Sequence, residues 1–527
     1  MPSAKKTRRA AVVVTAIAGL AFTSVPASAA PVASADLPDG PALARQLARK
    51  VTIGAINRHL IAFQRLADRN GGNRAAGTAG YNESAEYVAT KLEAAGFIVT
   101  RQEFPFIYSE EVAEELTVGG TEVSVDVMQY SPNTPVGGIT APLAVHDPAD
   151  ATPGCEASDF TPATVSGKIV LVRRGPSGCT FAGKQANAAA AGAVGVIVYN
   201  NVAGALEGTL GSPAAAVVPT GGISMADGQA LLDDAGASVT MDLRSIEEER
   251  ITYNVIAETQ TGRHDNVVMA GAHLDSVLAG PGINDNGSGT AALLDTALQL
   301  GSRPRVNNAV RFAWWGAEEL GLIGSEYYVQ NLDFEEQLDI ALYLNFDMIG
   351  SPNAGRFIYD GDNSDGVGAG PGPFGSAQIE AQFAAFLNAT GVETEGTDFT
   401  GRSDYGEFIL NGIPAGGLFT GAEVTKTEAQ VAKWGGVAGI AYDPCYHAAC
   451  DNLGNVDRTV LDSNADAMAW VTATYAISTE EINGIPPNAT ADTVADAKSA
   501  TSKTRLAATI ANGAGGGGHT HTHDEAS

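Results

Sequence analysis

The patterned part of the chain opens with a helical period. Residues 44–68, ARQLARKVTIGAINRHLIAFQRLAD, repeat apolar positions three and four apart, which predicts an amphipathic helix. A glycine-rich loop, NGGNRAAGTAGY, follows, then a helix near 83–95 and a strand, FIVTRQEF. From Asn254 onward come four apolar runs of strand length: VIAET, VVMAGAH, VRFAWWGA and LYLNFDMIG. The helical segment SGTAALLDTALQL follows the second run and IGSEYYVQNL the third. This alternation predicts an α/β fold with a mostly parallel central sheet and helices on both faces. In such sheets ligands bind beyond the carboxyl ends of the strands.

The middle, roughly 115–245, has another texture. Short β-branched runs (LTVGGTEVSVDV, GKIVLVRRG, VGVIVYN) surround one alanine-rich helix, AGKQANAAAAG, with few aromatics. It reads as a small β-rich or α/β module inserted into a larger domain. From about 481 the chain is poor in aromatics and ends GAGGGGHTHTHDEAS, the composition of a flexible extension. His519, His521 and His523 there read as a solvated tract rather than a metal site.

Composition narrows the function classes. A chain of 527 residues, 44% hydrophobic and 17% charged, has room for two or three globular domains. Its formal charge of −29 becomes more negative if the first segment, with Lys5, Lys6, Arg8 and Arg9, is removed. Such a surface repels phosphate backbones and anionic lipid, which excludes nucleic acid as the natural partner. The segment KKTRRAAVVVTAIAGLAFTSVPASAA has a basic start, an apolar stretch of about a dozen residues and an Ala27-Ser28-Ala29 exit, a secretory signal peptide over 1–29. No later run is long and apolar enough to span a bilayer. In an exported protein the four cysteines predict disulfides, with three connectivities open. Cys155–Cys179 and Cys445–Cys450 each close a local loop and are the economical choice.

The strand ends carry the candidate chemistry. VVMAGAH ends in His273, with Asp275 two residues on. GINDNGSG places Asp285 before a helix start, VRFAWWGA runs into Glu318-Glu319, and LYLNF is followed by Asp347. Far downstream, DPCYHAAC holds Tyr446 and His447. Two adjacent buried carboxylates are costly unless a cation sits beside them. Mixed imidazole and carboxylate donors suit zinc, and five of them suit two ions that share a bridging carboxylate. Asp275 is placed to accept the other N–H of the His273 ring. One of Glu318 and Glu319 is then a ligand and the other a general base near the ions; the sequence alone leaves open which.

The segments AGAHLDSV, GINDNGSGTAALL, RFAWWGAEELGLIGS, LNFDMIGSPN, GRSDYGEF, GGLFTGA, CYHAACD and NGGNRAAGTAGY resemble the secreted zinc aminopeptidases of Streptomyces and related bacteria, members of the M28 family of co-catalytic metallopeptidases. The resemblance implies a zinc exopeptidase-like fold and a di-zinc aminopeptidase acting on peptides or proteins with a free N-terminus. It implies zinc ligands His273, Asp285, Glu319, Asp347 and His447, with Asp285 bridging; His273 and Asp347 serve one ion, Glu319 and His447 the other. Glu318 matches the general base and Tyr446 a phenol that stabilises the oxyanion. Arg402, Met348, Gly401 and Phe419 match substrate-site positions, the last three lining an apolar pocket that favours leucine-like first residues. A cis peptide is implied after Asp285. Asp462 and Asp466 match two calcium ligands of some relatives, but the third position falls at Lys50–Val51, where no aspartate stands.

The insertion, GKIVLVRRGPSGCTFAGKQANAAAAGAVGVIVYN with Cys155 upstream, resembles a protease-associated (PA) domain. The domain reading is a signal segment 1–29, a discontinuous peptidase domain 45–114 and 250–480, a PA insertion 115–249 and a flexible tail 481–527. Competing readings are a carboxypeptidase or dipeptide-releasing enzyme using Arg402 for the substrate carboxylate, a one-zinc glutaminyl cyclase-like enzyme, and a non-catalytic receptor. The complete ligand set argues against the last two. The sequence carries no signal for oligomeric state.

Overall fold

The computed structural model describes residues 40–513, apart from 177 and 369. The segment 1–29, read as a signal peptide, and the histidine tract of the tail lie outside the described residues.

The helical run near the start is two helices, α1 (Gly40–Lys50) and α2 (Ile53–Arg69). The periodicity predicted one. Thr52 breaks it: its backbone is extended and its hydroxyl accepts a hydrogen bond from Ala55 N–H at 3.3 Å. Two further N–H groups at this terminus, of Thr52 and Ile53, are taken by Asp295 and Asp462, both at 3.1 Å. Helix α3 (Ala79–Ala94) follows, capped by Thr78.

Besides the short strands Thr121–Val123 and Asp126–Val127, the strands in chain order are β1 (Ile98–Val118), β2 (Ile139–Val145), β3 (Ile169–Arg173), β4 (Gly195–Tyr199), β5 (Thr220–Ile223), β6 (Ser238–Glu258), β7 (Arg263–His273), β8 (Asn308–Trp315), β9 (Ile340–Phe346), β10 (Phe357–Tyr359), β11 (Glu395–Thr397) and β12 (Ala415–Phe419). The main sheet runs β11-β10-β12-β9-β7-β8-β6. Its centre, β12-β9-β7-β8, is parallel, while β6 and β10 join antiparallel. Every residue of β9 is buried, as a strand covered on both faces requires. Side chains alternate between two cores. Val268, Ala270, Val310, Phe312, Trp314, Leu342 and Leu344 pack on one face. Met269, Ala313, Trp315 and Tyr343 pack on the other.

In the insertion, β2, β3, β4 and β5 form a parallel set beside β6, with the short helix α4 (Phe181–Ala190) between β3 and β4. It is thus α/β as much as β-rich. The two parts share strands rather than a linker. β1 and β6 pair antiparallel from Ile98↔Glu258 to Val118↔Val239, with a bulge near Glu111. The proposed boundaries at 114/115 and 249/250 fall inside this ribbon. Because Trp314 of β8 is opposite Val255, the earlier part of β6 continues beyond the carboxyl end of β8. The insertion therefore lies on the side of the sheet to which β8 delivers its carboxyl end. At its near end Phe104, Phe106 and Tyr108 pack against Ala317, Leu278 and Ile323.

Further helices include α5 (Gly287–Leu300), α6 (Ile323–Gln330), α7 (Ser376–Ala389), α8 (Gly406–Leu410), α9 (Arg458–Ile477) and α10 (Ala491–Gly513). Helix α10 occupies part of the stretch read as a flexible tail from 481. Its sequence lacks aromatics but is rich in alanine, a strong helix former. It docks through buried Val494, an ion pair of Lys498 with Asp339, and Arg505, which donates to the Gln337 carbonyl at 3.2 Å.

Candidate metal centre

Parallel strands deliver their last residues to one edge, and the candidate residues arrive there. His273 ends β7 and is 1% exposed. Asp347 follows β9 directly. Glu318 and Glu319 follow β8 through Gly316 and Ala317, whose φ of 57° turns the chain sharply. Asp285 precedes α5, whose N-cap Asn286 accepts from Gly289 N–H at 2.9 Å. A Cβ at Gly289 would collide with the Phe346 carbonyl, so only glycine lets α5 start this close to β9. The Asp285–Asn286 peptide is cis. Tyr446 and His447 sit in the small loop closed by Cys445–Cys450, with Cα atoms 5.3 Å apart. The other disulfide is Cys155–Cys179, so both local pairings occur.

Asp285 stands between the two imidazoles. Its Oδ1 is 3.2 Å from His273 Nε2 and its Oδ2 is 3.4 Å from His447 Nε2. Each of these nitrogens faces a second acid: Asp347 Oδ1 at 3.1 Å from His273, and Glu319 Oε2 at 2.9 Å from His447. Glu318 Oε2 is 3.9 Å from His273 Nε2, outside hydrogen-bond reach. The donors thus fall into two half-sites that share one carboxylate.

The arrangement calls for cations. A single ring N–H cannot bond well to two carboxylates, yet both Nε2 atoms face two. Glu319 Oε1 is buried without any hydrogen-bond partner. Protons compensate only at a cost. Burial pushes Glu318 well above the carboxylate range, and burial with Asp285 pushes Glu319 up to about 7. Against the opposing effect of burial, Asp285 and Glu319 raise His447 to about 11, and Glu318 and Asp347 raise His273 well above its usual value. Divalent ions would displace these protons and satisfy the same donors, so the residues fit zinc.

Supporting residues hold the donors. Asp275 Oδ1 lies 3.7 Å from His273 Nδ1, longer than a hydrogen bond, and Nδ1 has no other partner. Asp275 instead accepts from the backbone N–H of Glu318 at 3.2 Å and of Glu319 at 3.3 Å. Asp347 Oδ2 accepts from Ser403 at 2.7 Å, and Ser403 is reached through Trp315, Tyr343 and Asn345 by hydrogen bonds of 2.8–3.1 Å.

Three residues here were not picked out from the sequence. Arg74, fully buried, donates to the carbonyls of Leu274, Pro281 and Gly282, and so fixes the loop between His273 and Asp285. Asp451 accepts from the N–H groups of Asn284 and Asp285 at 2.8 and 2.9 Å. Asp443 accepts from Asn284 Nδ2 at 2.7 Å and from Cys445 N–H at 2.8 Å. Asp443 and Asp451 flank the disulfide loop, and that position beside CYHAAC was the available signal.

Of the substrate-site positions, Arg402 reaches the centre. Its Nη2 is 3.5 Å from the Tyr446 hydroxyl, and the Tyr446 ring stacks on His447 with centroids 3.8 Å apart. Gly401 N–H donates to Tyr405 at 3.0 Å. Met348, next to Asp347, is only 3% exposed, and Phe419 ends the neighbouring β12. Asp462 is engaged with Ile53 N–H, and among the described residues no group of three metal-binding side chains includes it or Asp466.

Comparisons with known proteins give the family. Residues 254–472 match Peptidase family M28, and residues 139–231 match the PA domain. The chain is 47% identical over 455 residues to a probable lipoprotein aminopeptidase, LpqL, of Mycobacterium tuberculosis, covering 85% of this chain and 90% of that one. It is 47% identical over 418 residues to leucine aminopeptidase 2 of Trichophyton rubrum, covering 79% and 81%. Among solved structures, the zinc aminopeptidase BSAP from Bacillus subtilis aligns with a TM-score of 0.57 at 27% identity, over 80% of this chain and 94% of that one. Strand-end donors in two half-sites, relatives of this identity over most of their length, and a matching fold lead to one assignment: the chain belongs to peptidase family M28, as a metalloaminopeptidase with an inserted PA domain.

Proposed function

We propose that this metalloaminopeptidase is a secreted, two-zinc enzyme that removes the first residue of peptides and prefers large apolar, leucine-like side chains there. The observation that carries the reading is Asp285, whose two oxygens face the two different imidazoles. In this reading His273 and Asp347 would hold one ion, Glu319 and His447 would hold the other, and Asp285 would serve both. When bound, the ions supply Lewis acidity, polarising the scissile carbonyl and lowering the pKa of water.

The chain's own groups do the rest. Glu318 is too far from His273 to be tied up by it and accepts the proton of the attacking water. Asp275 holds the Glu318 backbone N–H, so the carboxylate approaches from a fixed turn. Glu318 then delivers the proton to the departing amine. The Tyr446 hydroxyl donates to the carbonyl oxygen as negative charge develops there, and its stacking on His447 keeps it over the site. The excess of carboxylates around the centre receives the substrate's free ammonium, which selects exopeptidase cleavage. Met348, Gly401 and Phe419 line the pocket for the first side chain. The name of the Trichophyton relative supports the leucine-like preference. The 1–29 segment and the two disulfides support export, and no helix among the described residues is long and apolar enough to cross a membrane.

The test is hydrolysis of a leucyl anilide by the purified protein, before and after a strong chelator, with zinc then restored. Activity lost on chelation and recovered with zinc supports the reading. Full activity in the chelated, metal-free protein contradicts it.

A further inference from the structure

Glu423 lies four residues beyond β12 and was not among the residues read from the sequence. Its Oε1 accepts a hydrogen bond from Arg402 Nη1 at 2.8 Å, while Arg402 Nη2 reaches the Tyr446 hydroxyl at 3.5 Å. Tyr446 in turn stacks on His447. Glu423, Arg402 and Tyr446 therefore form a line from solvent to the metal-binding donors, with the Arg402 and Glu423 side chains 53% and 42% exposed. The segment that carries Glu423 is pinned on both sides. Asp443 N–H donates to the Ala422 carbonyl at 2.9 Å and Tyr442 N–H to the Val424 carbonyl at 3.0 Å. Arg74, another cation near the donors, is buried and occupied by three carbonyls, and Lys426, three residues beyond Glu423, donates to the Ala354 carbonyl.

A free guanidinium beside Tyr446 would be a strong receptor for a carboxylate, through paired charge-assisted hydrogen bonds. A dipeptide presents such a carboxylate one residue, about 3.8 Å of chain, past the scissile bond, whereas a longer peptide presents a neutral amide there. We propose that Glu423 is a specificity-determining residue: by occupying the Arg402 guanidinium it denies the site a free cation, so the enzyme does not favour substrates whose carboxylate directly follows the cleaved bond. Longer peptides, with an amide at that point, are then not outcompeted by dipeptides. The proposal rests on the placement of Tyr446 at the scissile carbonyl given under the proposed function.

The experiment compares kcat/KM for Leu-Leu with that for Leu-Leu-amide in the wild-type enzyme, Glu423→Gln, and the double variant Arg402→Gln/Glu423→Gln. The ratio of dipeptide to amide rises roughly fivefold in Glu423→Gln, mainly through KM, as expected for release of one partly exposed ion pair. It returns to within about twofold of wild type in the double variant, because the receptor itself is gone. An unchanged ratio in Glu423→Gln overturns the proposal, as does an equal fall on both substrates, which marks a structural role only. A raised ratio that persists in the double variant overturns it too, since Arg402 is then not the receptor. A wild-type enzyme inactive on both substrates overturns the reading of the site on which the proposal rests, whereas an active enzyme with an unchanged ratio overturns the proposal alone.

Discussion

Glu318 and Glu319 are neighbours with different surroundings. Glu319 Oε2 lies 2.9 Å from His447, but Glu318 is 3.9 Å from His273 and otherwise faces acids. Adjacent side chains on a tight turn point apart, so one can complete a half-site while the other stays free for proton transfer. Glu318→Gln keeps the size and burial of the side chain but removes the base. We expect kcat to fall by about 10²–10⁴ with zinc content unchanged, read from steady-state kinetics alongside metal analysis of the same sample. A variant retaining most of its turnover would remove Glu318 from the mechanism. The pair was legible in the sequence because two acids at the end of an apolar strand demand a cation. The division of labour proposed for them was not, since it rests on Ala317 at φ 57° and on Asp275 holding both N–H groups.

The elements explain what the sequence conceals. Strand ends can be read from apolar runs, so His273, Glu318, Glu319 and Asp347 stand out. Arg74 and Asp451 act on backbone groups about 170–210 residues away, and no local pattern records such a contact. The break between α1 and α2 was hidden for a similar reason: Asp295 and Asp462, both distant, satisfy the new helix terminus. Helix α10 is hard to read because its sequence has no aromatics and little apolar periodicity, while its many alanines favour a helix in any setting. Asp451 shows what these remote clamps contribute. It is 1% exposed and ties the loop bearing Asp285 to the disulfide loop bearing His447. Asp451→Ala leaves two buried N–H groups without partners, at a cost of about 1–3 kcal/mol each in desolvation. Denaturant unfolding should show a loss of at least this order, and zinc should be held more weakly. Unchanged stability would mean that the clamp is not needed.

For the whole molecule, the ribbon makes one structure of two parts, since Phe104, Phe106 and Tyr108 on β1 pack beneath the Glu318 turn while Leu116 and Val118 on the same strand belong to the insertion core. The chain's stability also has a pH signature. Burial, with Lys91 and Arg58 nearby, holds His59 neutral down to about 4 from its ordinary 6.5. The native state therefore disfavours the protonated ring. Between these values the unfolded chain binds a proton that the folded chain refuses, so this group's contribution is complete above pH 6.5 and is lost as the pH falls toward 4. Unfolding midpoints across that window should fall less steeply in His59→Gln than in wild type; parallel curves would show that His59 titrates normally.

The proposed two-zinc centre turns on one carboxylate, Asp285, shared by both ions. The most direct measurement is a count of zinc per chain as the metal-free protein is titrated, in wild type and in Asp285→Asn. We expect two ions per wild-type chain, with the binding of both weakened by the single substitution, because each oxygen of Asp285 faces a different half-site. One ion per wild-type chain, or a variant that loses one ion and binds the other at full strength, would contradict it.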